Sequence, residues 1–198
     1  NVDINTGAQR MFSTSDSLLP SNLILDSFLD NDGNLYFSTY GNGPFIWKNG
    51  MASRPMCSDP EFYETVRFCR EIQKDNSGNL WLRTFSKGIC CLKTDGTWES
   101  WHIGNSSLKT NHLTSMAYSP QQDRLYIGTG VGLYEMSERT SLMPLNICDY
   151  VTELHCDSKG YIWIGSNDGL LVLDTWRKAY FKVSAEDGLS DVRIKAIT

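Results

Sequence analysis

The chain has 198 residues, 18 of them Lys or Arg and 23 Asp or Glu, for a formal net charge of −5. With 40% hydrophobic, 21% charged and 12% aromatic residues it has a globular composition, which excludes wholesale disorder, a collagen-like rod and a coiled coil. No apolar run reaches the roughly 18 residues of a membrane span, and an acidic chain without a basic run is a poor nucleic-acid binder.

In chain order, Asn1-Val2-Asp3-Ile4-Asn5 has neither a basic nor an apolar stretch, so no signal peptide is expected. Residues 2–12 read as a β-hairpin out of phase with the rest of the chain. One phrase then recurs. It runs Asp30-Asn31-Asp32-Gly33-Asn34-Leu35-Tyr36-Phe37-Ser38-Thr39, then Asp75-Asn76-Ser77-Gly78-Asn79-Leu80-Trp81-Leu82-Arg83-Thr84. A degenerate copy, Pro120-Gln121-Gln122-Asp123-Arg124-Leu125-Tyr126-Ile127-Gly128-Thr129, precedes Asp157-Ser158-Lys159-Gly160-Tyr161-Ile162-Trp163-Ile164-Gly165-Ser166. The aliphatic anchors Leu35, Leu80, Leu125 and Ile162 are 45, 45 and 37 residues apart. Each precedes an aromatic, and each Thr or Ser leads into a Gly loop ending at Gly43, Gly88, Gly132 or Gly169.

Each copy reads as four short strands. A β-rich run such as 66–72 or 151–156 comes first. The D-x-x-G turn is next, in which Asp bonds its own backbone and Gly supplies a positive φ. The aliphatic–aromatic run is the second strand. The third strands are 45–48, 89–93, 133–136 and 170–174. Turns such as Asn49-Gly50, a favoured type I′ pair, lead to aromatic-rich fourth strands at 98–101 and 179–183. No segment holds a helical period, so the chain is expected to be all-β.

Four antiparallel strands per repeat of about 40–45 residues is the pattern of a β-propeller blade. Boundaries are expected at 25–65, 66–112, 113–149 and 150–190. Residues 1–24 would be outer strands of a preceding blade and 191–198 the first strand of a following one. The chain thus reads as part of a longer propeller: its terminal pieces pairing to seal a ring, an open arc, or closure with another chain are the alternatives, and exposed edges favour association, including a homodimer. Tyr36, Trp81, Tyr126 and Trp163 are expected to wedge between neighbouring blades.

The six cysteines, Cys57, Cys69, Cys90, Cys91, Cys148 and Cys156, have neither C-x-x-C nor zinc spacing. They read as small buried hydrophobes, with a disulfide left open. Adjacent Cys90 and Cys91 would point to opposite faces of a strand.

The phrase D-x-x-G-[LI]-[WY]-[LI]-G-[TS]-x-x-G-[LV], nearest to ideal at 157–170 and followed by Gly188-Leu189-Ser190-Asp191, resembles the two-component regulator propeller repeat. The resemblance implies the extracytoplasmic sensor region of a bacterial hybrid two-component system, with a glycan-binding propeller ahead of a β-sandwich, a membrane span and a histidine kinase. Arg83 and Ser38 depart from the motif's Gly slot, and the third copy lacks its turn. The motif is structural and transfers no binding residue.

No catalytic motif is present, and His102, His112 and His155 fall at different phases of the repeat. Asp30-Asn31-Asp32-Gly33-Asn34 opens like a calcium loop but lacks its later ligands, so neither metal nor cofactor is expected. Asn105-Ser106-Ser107 is a formal glycosylation sequon. Binding is expected where the second-to-third-strand loops meet the blade connections. The candidates there are Tyr40, Asn42, Arg83, Phe85, Lys87, Asn167 and Asp168. The 54–65 excursion, with Asp59, Glu61, Phe62 and Tyr63, residues 106–112 and Asp149-Tyr150 add to that face. Aromatics stack on sugar rings and planar polar groups bond hydroxyls; Arg83 and Lys87 suit uronate or sulfate. On this reading Arg83→Ala and Phe85→Ala weaken binding and spare stability. An oligosaccharide sensor segment is expected first, then a protein-interaction module, then a polysaccharide lyase using Tyr40 and Lys87.

Overall fold

The structure, a computed structural model, describes residues 13–16, 19–137, 141–189, 194 and 197. The expected hairpin at 2–12 lies outside the described residues, as does most of the following strand at 191–198. Among the described residues the strands form four antiparallel sheets of four, each in sequence order. Blade one holds β1 (Ile24–Leu29), β2 (Leu35–Thr39), β3 (Gly43–Lys48) and β4 (Met51–Ser53). Blade two holds β5 (Cys69–Lys74), β6 (Leu80–Thr84), β7 (Ile89–Leu92) and β8 (Trp98–Trp101). Blade three holds β9 (Leu113–Ser119), β10 (Arg124–Thr129), β11 (Gly132–Ser137) and β12 (Ser141–Leu145). Blade four holds β13 (Val151–Cys156), β14 (Ile162–Ser166), β15 (Gly169–Asp174) and β16 (Ala179–Val183). Neighbouring blades meet at their first strands, β1 to β5, β5 to β9 and β9 to β13. These are propeller blades in an arc, not a closed ring.

The repeated residues have repeated jobs. Asp75 Oδ1 accepts from the backbone N–H of Ser77 and of Asn79, both at 2.9 Å. Asp30 and Asp157 hold their turns in the same way. The second carboxylate oxygen takes the indole N–H of the aromatic, Trp81 at 3.1 Å from Asp75 and Trp163 at 3.0 Å from Asp157. At the other end of each second strand, Thr39, Thr84, Thr129 and Ser166 donate to the carbonyls of Gly43, Gly88, Gly132 and Gly169, each at 2.8 Å. The third blade lacks the Asp turn and is held from its neighbour instead. Asn76 donates from its backbone to Tyr118 Oη at 2.9 Å and from its side chain to the Pro120 carbonyl at 2.7 Å.

The core lies between the blades. Tyr36 packs with Ile72, Leu80 and Leu82 of blade two. Trp81, 1% exposed, packs with Met116, Leu125 and Ile127 of blade three. Tyr126 packs with Leu154, Ile162 and Ile164 of blade four. Trp163 is half-buried. In blade one the residues matching these sockets, Ser27, Leu35 and Phe37, line an apolar cleft of about 180 Å³ with Leu19, Ile24 and Trp47. Cys90 belongs to the core between blades one and two and Cys91 to that between blades two and three, as strand alternation requires. All six cysteines are free thiols, and burial pushes the Cys90 thiol up to about 12.

A polar seam accompanies the apolar one. Asp26 accepts the Ile72 N–H at 3.0 Å, Glu71 accepts the Met116 N–H at 3.2 and 3.3 Å, and Ser115 accepts the Leu154 N–H at 3.2 Å. The three acceptors hold the same place in successive first strands, opposite Ser38, Arg83 and Gly128.

One element departs from the all-β expectation. Helix α1 (Pro60–Thr65) is capped by Asp59, whose carboxylate accepts the Glu61 N–H at 2.9 Å, and Pro60 opens its first turn. Six residues are too few to display a helical period.

Candidate functional site

The first strands begin, and the Gly loops lie, at one end of every blade, so connections and Gly loops share a face. Their backbones interlock: the Arg67 carbonyl accepts the N–H groups of Gly41 at 3.1 Å and Gly43 at 3.0 Å.

On this face Tyr40, 49% exposed, meets Phe68, 40% exposed, edge to face with ring centroids 4.9 Å apart. The Phe85 N–H donates to the Phe68 carbonyl at 2.9 Å, which brings Phe85, 48% exposed, alongside. The Arg67 guanidinium lies 5.7 Å from the Phe68 ring centre, and its Nε donates to the Gly41 carbonyl at 3.0 Å. The Arg70 guanidinium lies 5.1 Å from the centre of Phe85. Both arginines are exposed. Three aromatics and two cations thus form one strip across the first two blades.

A backbone irregularity helps to build it. The register between first and second strands shifts once in every blade, at Leu25, Arg70, Thr114 and Thr152. A bulge leaves the extra residue outside the ladder and re-aims its side chain. In blade two that residue is Arg70.

The expected site residues separate into three groups. Tyr40 and Phe85 stand on the strip, joined through Phe68, and Lys87 is exposed on the Phe85 loop. Asn42 stands beside Tyr40 and donates to the Pro20 carbonyl at 3.3 Å. Asn167 and Asp168 are exposed on the Gly loop of blade four, two blades away. Asp168 borders a cleft of about 450 Å³ with Lys109, Asp149 and Lys182.

Arg83 is not on the face. Its side chain is buried, with Nε 2.7 Å from Glu71 Oε2 and Nη1 2.9 Å from the Leu113 carbonyl of blade three. In blade three the same slot is Gly128, where a Cβ would sit 2.5 Å from Val151 Cγ1. Blade two fills the slot with a guanidinium, to which blade three offers a carbonyl. Burial raises the Glu71 carboxyl to about 7, with Arg83 opposing the rise.

The 54–65 excursion is likewise structural. Phe62 is fully buried, Asp59 accepts the Trp98 indole N–H at 2.7 Å, and the Tyr63 hydroxyl donates to the Pro55 carbonyl at 2.7 Å. His155 is half-buried on β13. Among the described residues no group of three His, Cys, Asp or Glu is placed to hold a metal ion. Arg67, Phe68 and Arg70 escape notice in the sequence because 66–72 reads as one strand. The signal available was Phe68 standing one residue before the strand, at the place of Tyr150 in blade four.

The two-component regulator propeller model matches residues 18–41 and 147–168. No curated protein matches the chain. Among solved structures, the extracellular domain of a hybrid two-component system from B. thetaiotaomicron is 23% identical with a TM-score of 0.73, over 91% of this chain and 25% of that one. The extracellular domain of a one-component system from the same organism is 16% identical with a TM-score of 0.68, over 84% and 25%. The WD40 repeats of RRP9 are 13% identical with a TM-score of 0.63, over 83% and 52%. The chain spans about a quarter of the length of the two bacterial domains it matches. At these identities the likeness shows the fold. The family model matches segments in the first and fourth blades, and four sheets in register give the chain the blade architecture of a propeller domain.

Proposed function

We propose that the chain is a ligand-sensing segment in the extracytoplasmic propeller of a hybrid two-component sensor protein, that it recognises oligosaccharides, and that the longer protein carries the signal across the inner membrane. The observation that carries this reading is the strip of Tyr40, Phe68 and Phe85, exposed where connections and Gly loops converge. Flat aromatic faces on a rigid scaffold suit the apolar faces of sugar rings. The extracellular origin named for the structural relatives agrees with this placement. No described helix is long and apolar enough to cross a membrane. Signalling requires a ligand with unequal affinity for two states of the propeller or its dimer, which a kinase elsewhere in the protein would read. The segment itself acts by binding, not by catalysis. The remainder of the parent propeller is the partner proposed for the apolar cleft of blade one. The test is a screen of the chain against neutral and acidic oligosaccharides by calorimetry. Phe68→Ala and Phe85→Ala should weaken any binding at least about tenfold without moving the melting temperature; saturable binding untouched by both variants contradicts the reading.

A second reading rests on blade four. Trp176, Tyr180 and Phe181 are 65%, 52% and 54% exposed on or beside its outer strand. Such a patch suits a protein partner or a second copy of the chain. Protection of these three residues on association, with no response to any glycan, would favour an interaction module.

A further inference from the structure

We infer that the oligosaccharide held by this face is anionic, carrying a carboxylate or sulfate ester on a sugar ring, and that Arg67 and Arg70 grip that group. This deepens the glycan-recognition reading and rests on it.

Five of the described cations are already committed to carboxylates. Lys74, Arg83, Lys93, Arg124 and Arg177 each lie beside a carboxylate: Asp30, Glu71, Glu99, Glu135 and Asp174. Arg67 and Arg70 are among the described cations without an ion pair, and they stand beside the exposed rings of Phe68 and Phe85. A guanidinium on the exposed strip with no carboxylate beside it keeps its charge available to an external anion.

The side chains are also held ready. Arg67 spends Nε on the Gly41 carbonyl at 3.0 Å, which fixes the chain and leaves both terminal nitrogens for a ligand. Arg70 stands at the bulge of β5 with its guanidinium against Phe85. A guanidinium beside a ring keeps its N–H groups, which bond carboxylate or sulfate oxygens in pairs. Phe68 and Tyr40 beside them supply the apolar surface for the rest of the ring. Exposed Lys87 on the adjoining loop adds charge of the same sign. A neutral sugar would use the rings and leave the cations idle; an acidic sugar uses both.

The test is calorimetry of the full chain against three probes: a galacturonate trimer, the same trimer with its carboxyls methyl-esterified, and a 6-O-sulfated galactose trimer. The acid or the sulfate should bind at least about tenfold tighter than the ester, and the better of the two identifies the anionic group. Raising salt from about 0.05 to 0.5 M should weaken the charged probe and spare the ester. The Arg67→Gln/Arg70→Gln double variant should bind charged and esterified trimers alike, with an unchanged melting temperature because both residues are exposed. Lys93→Gln, which removes a paired cation of blade two, should leave all affinities unchanged. If the ester binds as tightly as the acid, or the double variant keeps the preference for charge, the anionic inference falls and glycan recognition stands. If neither these probes nor any neutral oligosaccharide binds, both fall.

Discussion

Arg83 and Glu71 form an ion pair at 2.7 Å, and each partner also reaches into the next blade, Arg83 to the Leu113 carbonyl and Glu71 to the Met116 N–H. The pair therefore clamps the second blade to the third from a slot that blade three leaves to a glycine. Arg83→Ala removes both bonds and strands a buried carboxylate. It should cost about 3 kcal/mol, the lower part of the range for breaking a buried pair, because Glu71 can take up a proton. Arg83→Lys recovers little, since an ammonium lacks the fork that serves two acceptors at once. Denaturant unfolding of the two variants checks this, and glycan affinity per folded molecule should be unchanged.

Trp81 and Trp163 hold one place in the repeat and bond matching aspartates, yet Trp81 is sealed by blade three while Trp163 is half-buried. Trp81→Ala should cost about 3–5 kcal/mol as a lost core aromatic. Trp163→Ala should cost less than half as much in the same unfolding experiment. Equal costs would mean that Trp163 is as fully packed as Trp81.

The two ends of the pH scale act through different carboxylates. Burial alone would raise Asp30, but hydrogen bonds from Lys74 and Asn34 outweigh it and hold the carboxyl well below the usual range. A lowered folded value means stability present above the ordinary value of 3.8 and lost as pH falls below it. Asp30→Asn should blunt that acid loss. Glu71 has the opposite sign. Its folded value of about 7 exceeds the ordinary 4.5, so its contribution is full below pH 4.5 and declines as pH rises through 7. The melting temperature of Glu71→Gln should vary less with pH across that window than that of the parent.

Much of the fold was legible because the repeated residues act locally. Asp30, Asp75 and Asp157 close their own turns, Thr39 and its counterparts close the Gly loops, and the aromatics Tyr36, Trp81 and Tyr126 fill the gaps to the next blade. Such jobs leave fixed spacings in a sequence. The bulge at Arg70 leaves none, because an inserted strand residue looks like any other. Nor does the reach of Arg83 across to Leu113, which depends on how two blades sit together; a charged residue beside a loop reads as solvent-facing until its partner in the neighbouring blade is seen. Phe68 was hidden for a related reason. Its strand was recognised, but whether the residue just before it faces the core or the mouth depends on the Tyr40 contact.

The loop face accounts for binding only if ligand contacts fall where the aromatics are exposed. Phe85→Ala and Phe68→Ala should therefore lower glycan affinity without changing stability, the reverse of Trp81→Ala. Asn167→Ala and Asp168→Ala, two blades away, should have smaller effects.

The most direct test is to map amide chemical-shift changes across the chain as an oligosaccharide is titrated in. The changes should centre on Tyr40, Arg67, Phe68, Arg70 and Phe85, with little movement at the D-x-x-G turns of Asp75 and Asp157. Changes centred instead on those turns, or on the cleft of Lys109, Asp149 and Lys182, would contradict binding at the aromatic strip.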